Sequence, residues 1–382
     1  MPERNKIIYL DNNATTRVDD RVLQAILPYF TEDYANANSS HLFGLTINEA
    51  VQAAREQVAD LIGGSPKEII FTSGATEAIN LAIKGLIHHP KKHIVTVATE
   101  HKAVLDTCEW IETQGFTVTF LPVQNDGLID REGLENAVTQ DTLLVCIMYA
   151  NNETGVLQPI KQISKIAHAK GALFMTDATQ AVGKLPIDVT KLGIDFMPLS
   201  AHKFYGPKGV GALYVSAAAQ IKLDLQMHGG GHERKMRSGT LNVPGIIGLG
   251  KACEIALAEM EADTEKITAL RNNLESELLK IDGTFINGNS EHRLYNTINI
   301  CFPRANSEKL ILALGNIAVS SGSACSSVTT EPSYVLKALG LSDANGLSSI
   351  RFSLGRFTTS DDIETTINKV TELVGQLRLA NN

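Results

Sequence analysis

The chain has no run of eighteen apolar residues, which argues against a membrane-spanning helix. It has no surplus of basic residues either: the formal net charge of −8 leaves no electrostatic footprint for nucleic acid. Cysteines are few, odd in number and scattered without metal-ligand spacing: Cys108, Cys146, Cys253, Cys301 and Cys325. That usage fits reduced thiols in a cytoplasmic compartment better than a disulfide framework. The opening MPERNKIIYLDNN is charged and reaches a strand-like run at once, without the apolar core of a secretory signal. Internal repeats and low-complexity tracts are also missing.

What is present is a chain of 382 residues, 43% hydrophobic and 20% charged, long enough to bury a sizeable core. Short apolar runs alternate with helix-length stretches. EIIFT, HIVTVATEH, TVTFLPV, TLLVCIMYA, ALFMTDA, DFMPLS and GALYVS read as strands, and residues 46–61 carry apolar positions at helical spacing. Such alternation predicts an α/β fold with a mostly parallel sheet covered on both faces. The closely spaced runs between Ala172 and Ser216 need not all be parallel. After Gly231 the texture changes: a polar loop, a helix from about Ile246 to Ile281, then TINICF, IAVSSGSA and SIRFSLG as a smaller sheet. A last helix runs from Asp361 to about Leu379, with Ser360 as its expected N-cap. The expected division is a large α/β domain over residues 16–250. A smaller α+β domain is expected from residues 1–15 and 251–382.

Chemistry concentrates at the carboxyl ends of these strands, where an open α/β sheet presents its ligands. In PLSAHKFYGPKG, Lys203 follows an apolar run and precedes a Gly/Pro turn. A lysine held in a cleft loses its proton and forms a Schiff base, although most loop lysines are merely solvated. Asp177 ends another strand in GALFMTDATQAVGK. A Schiff-base lysine with a buried aspartate facing a pyridinium nitrogen is the pairing that pyridoxal phosphate requires. SGATEA puts Ser73, Gly74, Ala75 and Thr76 at a strand-to-helix turn suited to a phosphate. Ser200 and His202 flank the lysine and suit the same phosphate. His101 follows a strand where an imidazole stacks on a ring and shuttles protons as a catalytic group, or simply sits at a helix start. Asn152, in NNETG, and Gln180, three residues after Asp177, reach the same edge. Alone each is an ordinary turn; their agreement on one edge is the signal.

YLDNNATT, FTSGATEA, Glu100-His101, NNETG, DATQAVGK, SAHKFYGPKG, RSGTLN, SSGSACSS and IRFSLGR occur in this order. Nearly end to end, the set resembles the cysteine desulfurases of the NifS/IscS type, class V aminotransferases and fold type I pyridoxal-phosphate enzymes. The resemblance implies a homodimer that takes sulfur from L-cysteine, releases L-alanine and leaves a persulfide on its own cysteine. It implies that Lys203 forms the Schiff base, Asp177 pairs with the ring nitrogen and His101 stacks on the ring. It puts Gln180 and Asn152 near the ring hydroxyl, and Thr76, Ser200 and His202 on the phosphate. Thr240 would reach the phosphate of the neighbouring subunit, and Arg351 would clamp the substrate carboxylate. Two positions depart from the usual pattern, Asn38 for a serine and His232 for a glutamine. The sequence stops at GQLRLANN, short of the C-terminal extension that IscS-type enzymes use to dock an iron–sulfur scaffold, so that partner is not expected through such a tail.

Cys325 fixes the reaction type. The other four cysteines lie in helix-like or strand-like runs and read as small buried hydrophobes. Cys325 alone stands among small polar residues, SSGSACSSVTTEP, the composition of an exposed loop. There a thiolate can attack the sulfur of substrate cysteine and carry it away to an acceptor protein. Alternatives from the residues are a selenocysteine lyase or a simple aminotransferase on the same cofactor, or a scaffold that kept the fold. The last would not need Lys203, Asp177 and Cys325 together.

Overall fold

The computed structural model describes residues 6–217, 223–321 and 331–380. Its strands are β1 (Ile8–Tyr9), β2 (Ile69–Thr72), β3 (His93–Val97), β4 (Thr117–Leu121), β5 (Thr142–Cys146) and β6 (Leu173–Met175). They continue with β7 (Phe196–Ser200), β8 (Gly211–Val215), β9 (Phe285–Ile286), β10 (Thr297–Cys301), β11 (Ile317–Ala318) and β12 (Ser349–Ser353). Seven of them form one sheet in the order β2-β8-β7-β6-β5-β3-β4. β8 runs antiparallel to both its neighbours, and every other pairing in the sheet is parallel. The α/β architecture expected from the alternation is therefore the observed one, with the departure from parallel pairing inside the segment that allowed it.

Period-two alternation sorts the strand residues onto two faces. Phe71, Val95, Val145, Phe174, Met197 and Ala212 join one core. Ile70, Ile94, Leu144, Met175, Phe196 and Leu213 join the other. The first core is covered by the helix Leu42–Ile62, four residues longer at its start than the sequence spacing marks, and by the helix Val243–Leu278. Ala75–Lys84 and Lys102–Glu112 cover the second. Continuous burial of β2, β5, β7 and β8 is what a sheet covered on both faces requires.

A third core joins Ile8 and Leu10 to Ile267, Leu274, Ile298, Ile300, Phe352 and Val370. It is built on the sheet β12-β10-β9 and the parallel pair β1-β11. The 36-residue helix Val243–Leu278 serves two cores, burying Ile246 and Leu249 in the first and Ile267 and Leu274 in the third. At about 1.5 Å per residue it is long enough to do so. The last helix, Ser360–Ala380, is capped by Thr359, not Ser360. Thr359 Oγ1 accepts from Asp362 N at 3.2 Å, and Asp362 Oδ2 accepts from Thr359 N at 3.0 Å. This reciprocal pair is the stronger cap because it satisfies two donors. His232, at the position that departs from the family pattern, accepts a hydrogen bond from Gly239 N through Nδ1.

Candidate active site

The carboxyl ends of β2, β3, β5, β6 and β7 open on one cavity of about 1010 Å³. Of the residues singled out in the sequence, Ala75, Thr76, His101, Asn152, Asp177, Gln180, Ser200, His202, Lys203 and Arg351 all line it. Thr240 does not. It lines a smaller cavity of about 170 Å³ beside Tyr34 and Asn36. Cys325 lies outside the described residues.

Lys203 ends a short 3-10 turn, Ala201–Lys203, directly after β7. Its Nζ donates to the backbone oxygens of Asn13 at 2.7 Å and Ala14 at 2.8 Å. Asn13 is itself strapped to the small sheet, its N–H on Ser353 Oγ and its Nδ2 on Thr297 Oγ1. Through Asn13 the lysine is thereby linked to β10 and β12. Neither Asn13 nor Ala14 was legible as a lysine partner, because backbone carbonyls leave no trace in a sequence.

Asp177 lies two residues beyond β6 and is 5% exposed. Both its side-chain hydrogen bonds fall on Oδ1, from Thr179 N at 2.9 Å and Thr179 Oγ1 at 2.5 Å. His101 caps the helix Lys102–Glu112, Nδ1 accepting from Ala103 N at 3.1 Å. A neutral ring held this way carries its proton on Nε2. His202 Nδ1 lies 3.1 Å from Thr15 Oγ1. Burial, with Lys203, Lys208 and Lys184 nearby, pushes its pKa down to about 4, so the ring is neutral at neutral pH.

The helix Ala75–Lys84 begins at Gly74, at φ +154°, with no side-chain cap hydrogen bond. Gly74, Ala75 and Thr76 line the cavity, so first-turn N–H groups are offered to an anion there. Glycine is required opposite as well: a Cβ on Gly211 would lie 2.7 Å from Gly74 Cα. Ser200 Oγ is the nearest atom to a Cβ built on Gly74, at 3.6 Å.

Arg351, 2% exposed on β12, donates from Nη1 to Asn152 O at 2.9 Å and from Nη2 to Asp11 Oδ1 at 2.5 Å. Among the described residues, its Nε and the Asn152 Oδ1 are buried without a hydrogen-bond partner. A clamp with an unsatisfied donor beside an unsatisfied acceptor suits a ligand with both kinds of group. Two buried carboxyls lie nearby, Glu153 in the cavity wall and Glu100 next to His101; both belong to motifs of the sequence that gave them no role of their own. Glu100 accepts from Met148 N, and burial holds its pKa well above the ordinary range, with Asp177 adding to the effect. Glu153 accepts from Ser333 Oγ at 2.5 Å, and burial pushes it up to about 7.

The other four cysteines, Cys108, Cys146, Cys253 and Cys301, are free and buried, as their apolar settings implied. Burial raises all four thiols, which makes them poor nucleophiles. Among the described residues, no group of acidic, histidine or cysteine side chains is arranged to hold a metal ion, and no helix is long and apolar enough to cross a membrane.

A lysine amine, a buried aspartate and a helix N-terminus stand around one cavity, the kinds of group that a phosphorylated carbonyl cofactor needs. Residues 8–366 match the family model described as aminotransferase class-V, and the chain belongs to that family. It is 54% identical over 376 residues to a cysteine desulfurase IscS of Anaeromyxobacter sp. (strain Fw109-5), covering 97% of this chain and 93% of that one. Among solved structures it is similar to a NifS-like protein at TM-score 0.91 and 39% identity, covering 97% and 100% of the two chains. It is also similar to SspA in complex with cysteine, at TM-score 0.82 and 38% identity, covering 92% and 99%.

Proposed function

We infer that this chain is a cysteine desulfurase, a transferase that moves sulfur from L-cysteine to an acceptor and releases L-alanine. The observation that carries the reading is the convergence of Lys203, Asp177, the Gly74-Ala75-Thr76 turn and Arg351 on one cavity. The donor set fits pyridoxal 5'-phosphate: an amine for its aldehyde, a carboxylate with one oxygen outside its own hydrogen bonds for the ring nitrogen, and a helix N-terminus for the phosphate. When bound, that cofactor supplies an electron sink for bonds at the substrate's α-carbon.

The residues divide the work. Lys203 would hold the aldehyde through its amine, and its Nζ, set on the Asn13 and Ala14 carbonyls, is placed to move a proton. Asp177 would keep the ring nitrogen protonated, and His101 would cover the ring from the same cavity wall. Gln180 and Asn152 would serve the ring oxygen, while Ala75, Thr76, Ser200 and the neutral His202 would hold the phosphate. Arg351 takes the substrate carboxylate through its planar fork. The Cys325 thiolate attacks the substrate sulfur. An S–S bond forms as the Cβ–S bond breaks, and the electron pair stays with the carbon skeleton that becomes alanine.

The division into residues 16–250 and 1–15 with 251–382 is part of this reading. So is a homodimer in which Thr240 serves the neighbouring site, supported by the exposure of Tyr34 in Thr240's own cavity and of Leu27 and Phe30 a few residues before it. The persulfide passes to an acceptor protein, an iron–sulfur scaffold or a sulfur carrier, in the cytoplasm. The test is reduction of the yellow protein with borohydride followed by peptide mapping. A reduced cofactor on Lys203 supports the reading, and label elsewhere or nowhere refutes it.

A further inference from the structure

Lys184 is 6% exposed, and among the described residues no carboxylate accounts for its charge. Its Nζ donates to Gln180 Oε1 at 2.7 Å. The same amide donates from Nε2 to Asn13 O at 2.8 Å, and that oxygen also accepts from Lys203 Nζ at 2.7 Å. Two lysines are thus joined through one glutamine and one carbonyl. The loop is pressed into place by Gly183, at φ +74°, where a Cβ would lie 2.7 Å from Phe204 Cβ, the residue after Lys203.

The geometry fixes which way the Gln180 amide points. Lys184 can satisfy only an oxygen while it donates, and Asn13 O can satisfy only a nitrogen. Flipping the amide would set two donors against each other at one end and two acceptors at the other. The second hydrogen of Nε2 is therefore available on a side chain that lines the cavity. Burying an ammonium without a counter-ion is costly. Burial and the charges of Lys203 and Arg351 push Lys184 down to about 7. A group retained at such cost calls for a reason beyond packing.

We propose that Lys184 is a positioning residue for the cofactor site: it locks Gln180 so that the amide N–H, not the amide oxygen, faces the ring oxygen of the bound cofactor. This rests on the pyridoxal-phosphate reading. A donor at that oxygen draws its electron density away and lowers the pH at which the Schiff base releases its proton. Lys184→Met, close in volume and uncharged, removes the lock with little strain on the fold.

The test is a pH titration of the yellow band in the holoenzymes of wild type, Lys184→Met, Gln180→Ala and the double variant. Lys184→Met is expected to raise the midpoint by about one pH unit, the scale of one hydrogen bond to a charged group. The double variant is expected to match Gln180→Ala alone, because both changes remove one interaction. Lys184→Gln, which keeps a donor without the ammonium, is expected to hold the wild-type midpoint. An unshifted midpoint in Lys184→Met overturns the proposal, as do full additivity in the double variant or a shift in Lys184→Gln equal to that in Lys184→Met. A wild type with no yellow band refutes the cofactor reading itself, a distinct outcome.

Discussion

Arg351 Nη2 lies 2.5 Å from Asp11 Oδ1, so the residue assigned to the substrate carboxylate already holds a carboxylate of its own. Asp11 follows β1, and the pair is also a strut between the start of the chain and β12. A buried guanidinium on a cavity wall can serve as a structural salt bridge or as a substrate clamp. The structure gives the guanidinium the first contact and a position in the cavity wall suited to the second.

Arg351→Ala is therefore expected to raise the KM for cysteine by about 10- to 100-fold, the loss of a hydrogen bond to a charged group. Asp11→Asn keeps the shape and removes the competing charge, and its KM is expected not to rise. Steady-state alanine formation over a range of cysteine concentrations checks both.

Much of the site was legible because strand ends are legible. Apolar runs with period-two alternation located the sheet, and the polar residue types following each run located its edge. Lys203, Asp177 and His101 were found this way, and the structure gathers them around one cavity. The partners were not legible. Asn13 acts through its carbonyl, and Lys184 through a contact that depends on the positive φ of Gly183. Glu100 and Glu153 stood in motifs, Glu153 in a turn, but nothing in the sequence showed that both carboxyls are buried. The cap of the last helix slipped by one residue because Thr359 and Ser360 offer the same hydroxyl, and only the reciprocal bond with Asp362 distinguishes them.

Glu153 makes stability depend on pH. Its folded-state pKa, about 7, stands above the ordinary 4.5, so between those values the folded state binds more protons than the unfolded one. The contribution is full below about 4.5 and is lost as pH rises through about 7. Glu153→Gln removes the dependence while keeping an acceptor for Ser333. The Tm of the variant minus that of the wild type is expected to be larger at about pH 8 than at about pH 5. Thermal melts at both pH values check the sign.

Gly183→Ala places a Cβ 2.7 Å from Phe204 Cβ on a backbone at φ +74°. The expected cost is about 1–3 kcal/mol, from overpacking and strain together. The loop carrying Gln180 and Lys184 moves with it, so cofactor is expected to be lost faster on dialysis. Chemical denaturation and residual absorbance measure the two effects separately.

Thr240 offers a test of the shared site. Lys203→Ala is expected to be inactive and Thr240→Ala weakened in cofactor retention. In a mixed dimer one site combines an intact Lys203 with the Thr240 of the other subunit. Mixing is therefore expected to restore up to about a quarter of wild-type activity from statistical reassembly. No gain from subunits shown to exchange would mean that Thr240 serves its own chain or none.

The most direct test of the central claim gives the purified holoenzyme L-cysteine with a reductant and measures alanine and sulfide together, wild type beside Cys325→Ala. Equal amounts of the two products from the wild type, both lost or strongly reduced in the variant, are the expected result. Alanine formed equally well by Cys325→Ala would contradict sulfur transfer through that thiol.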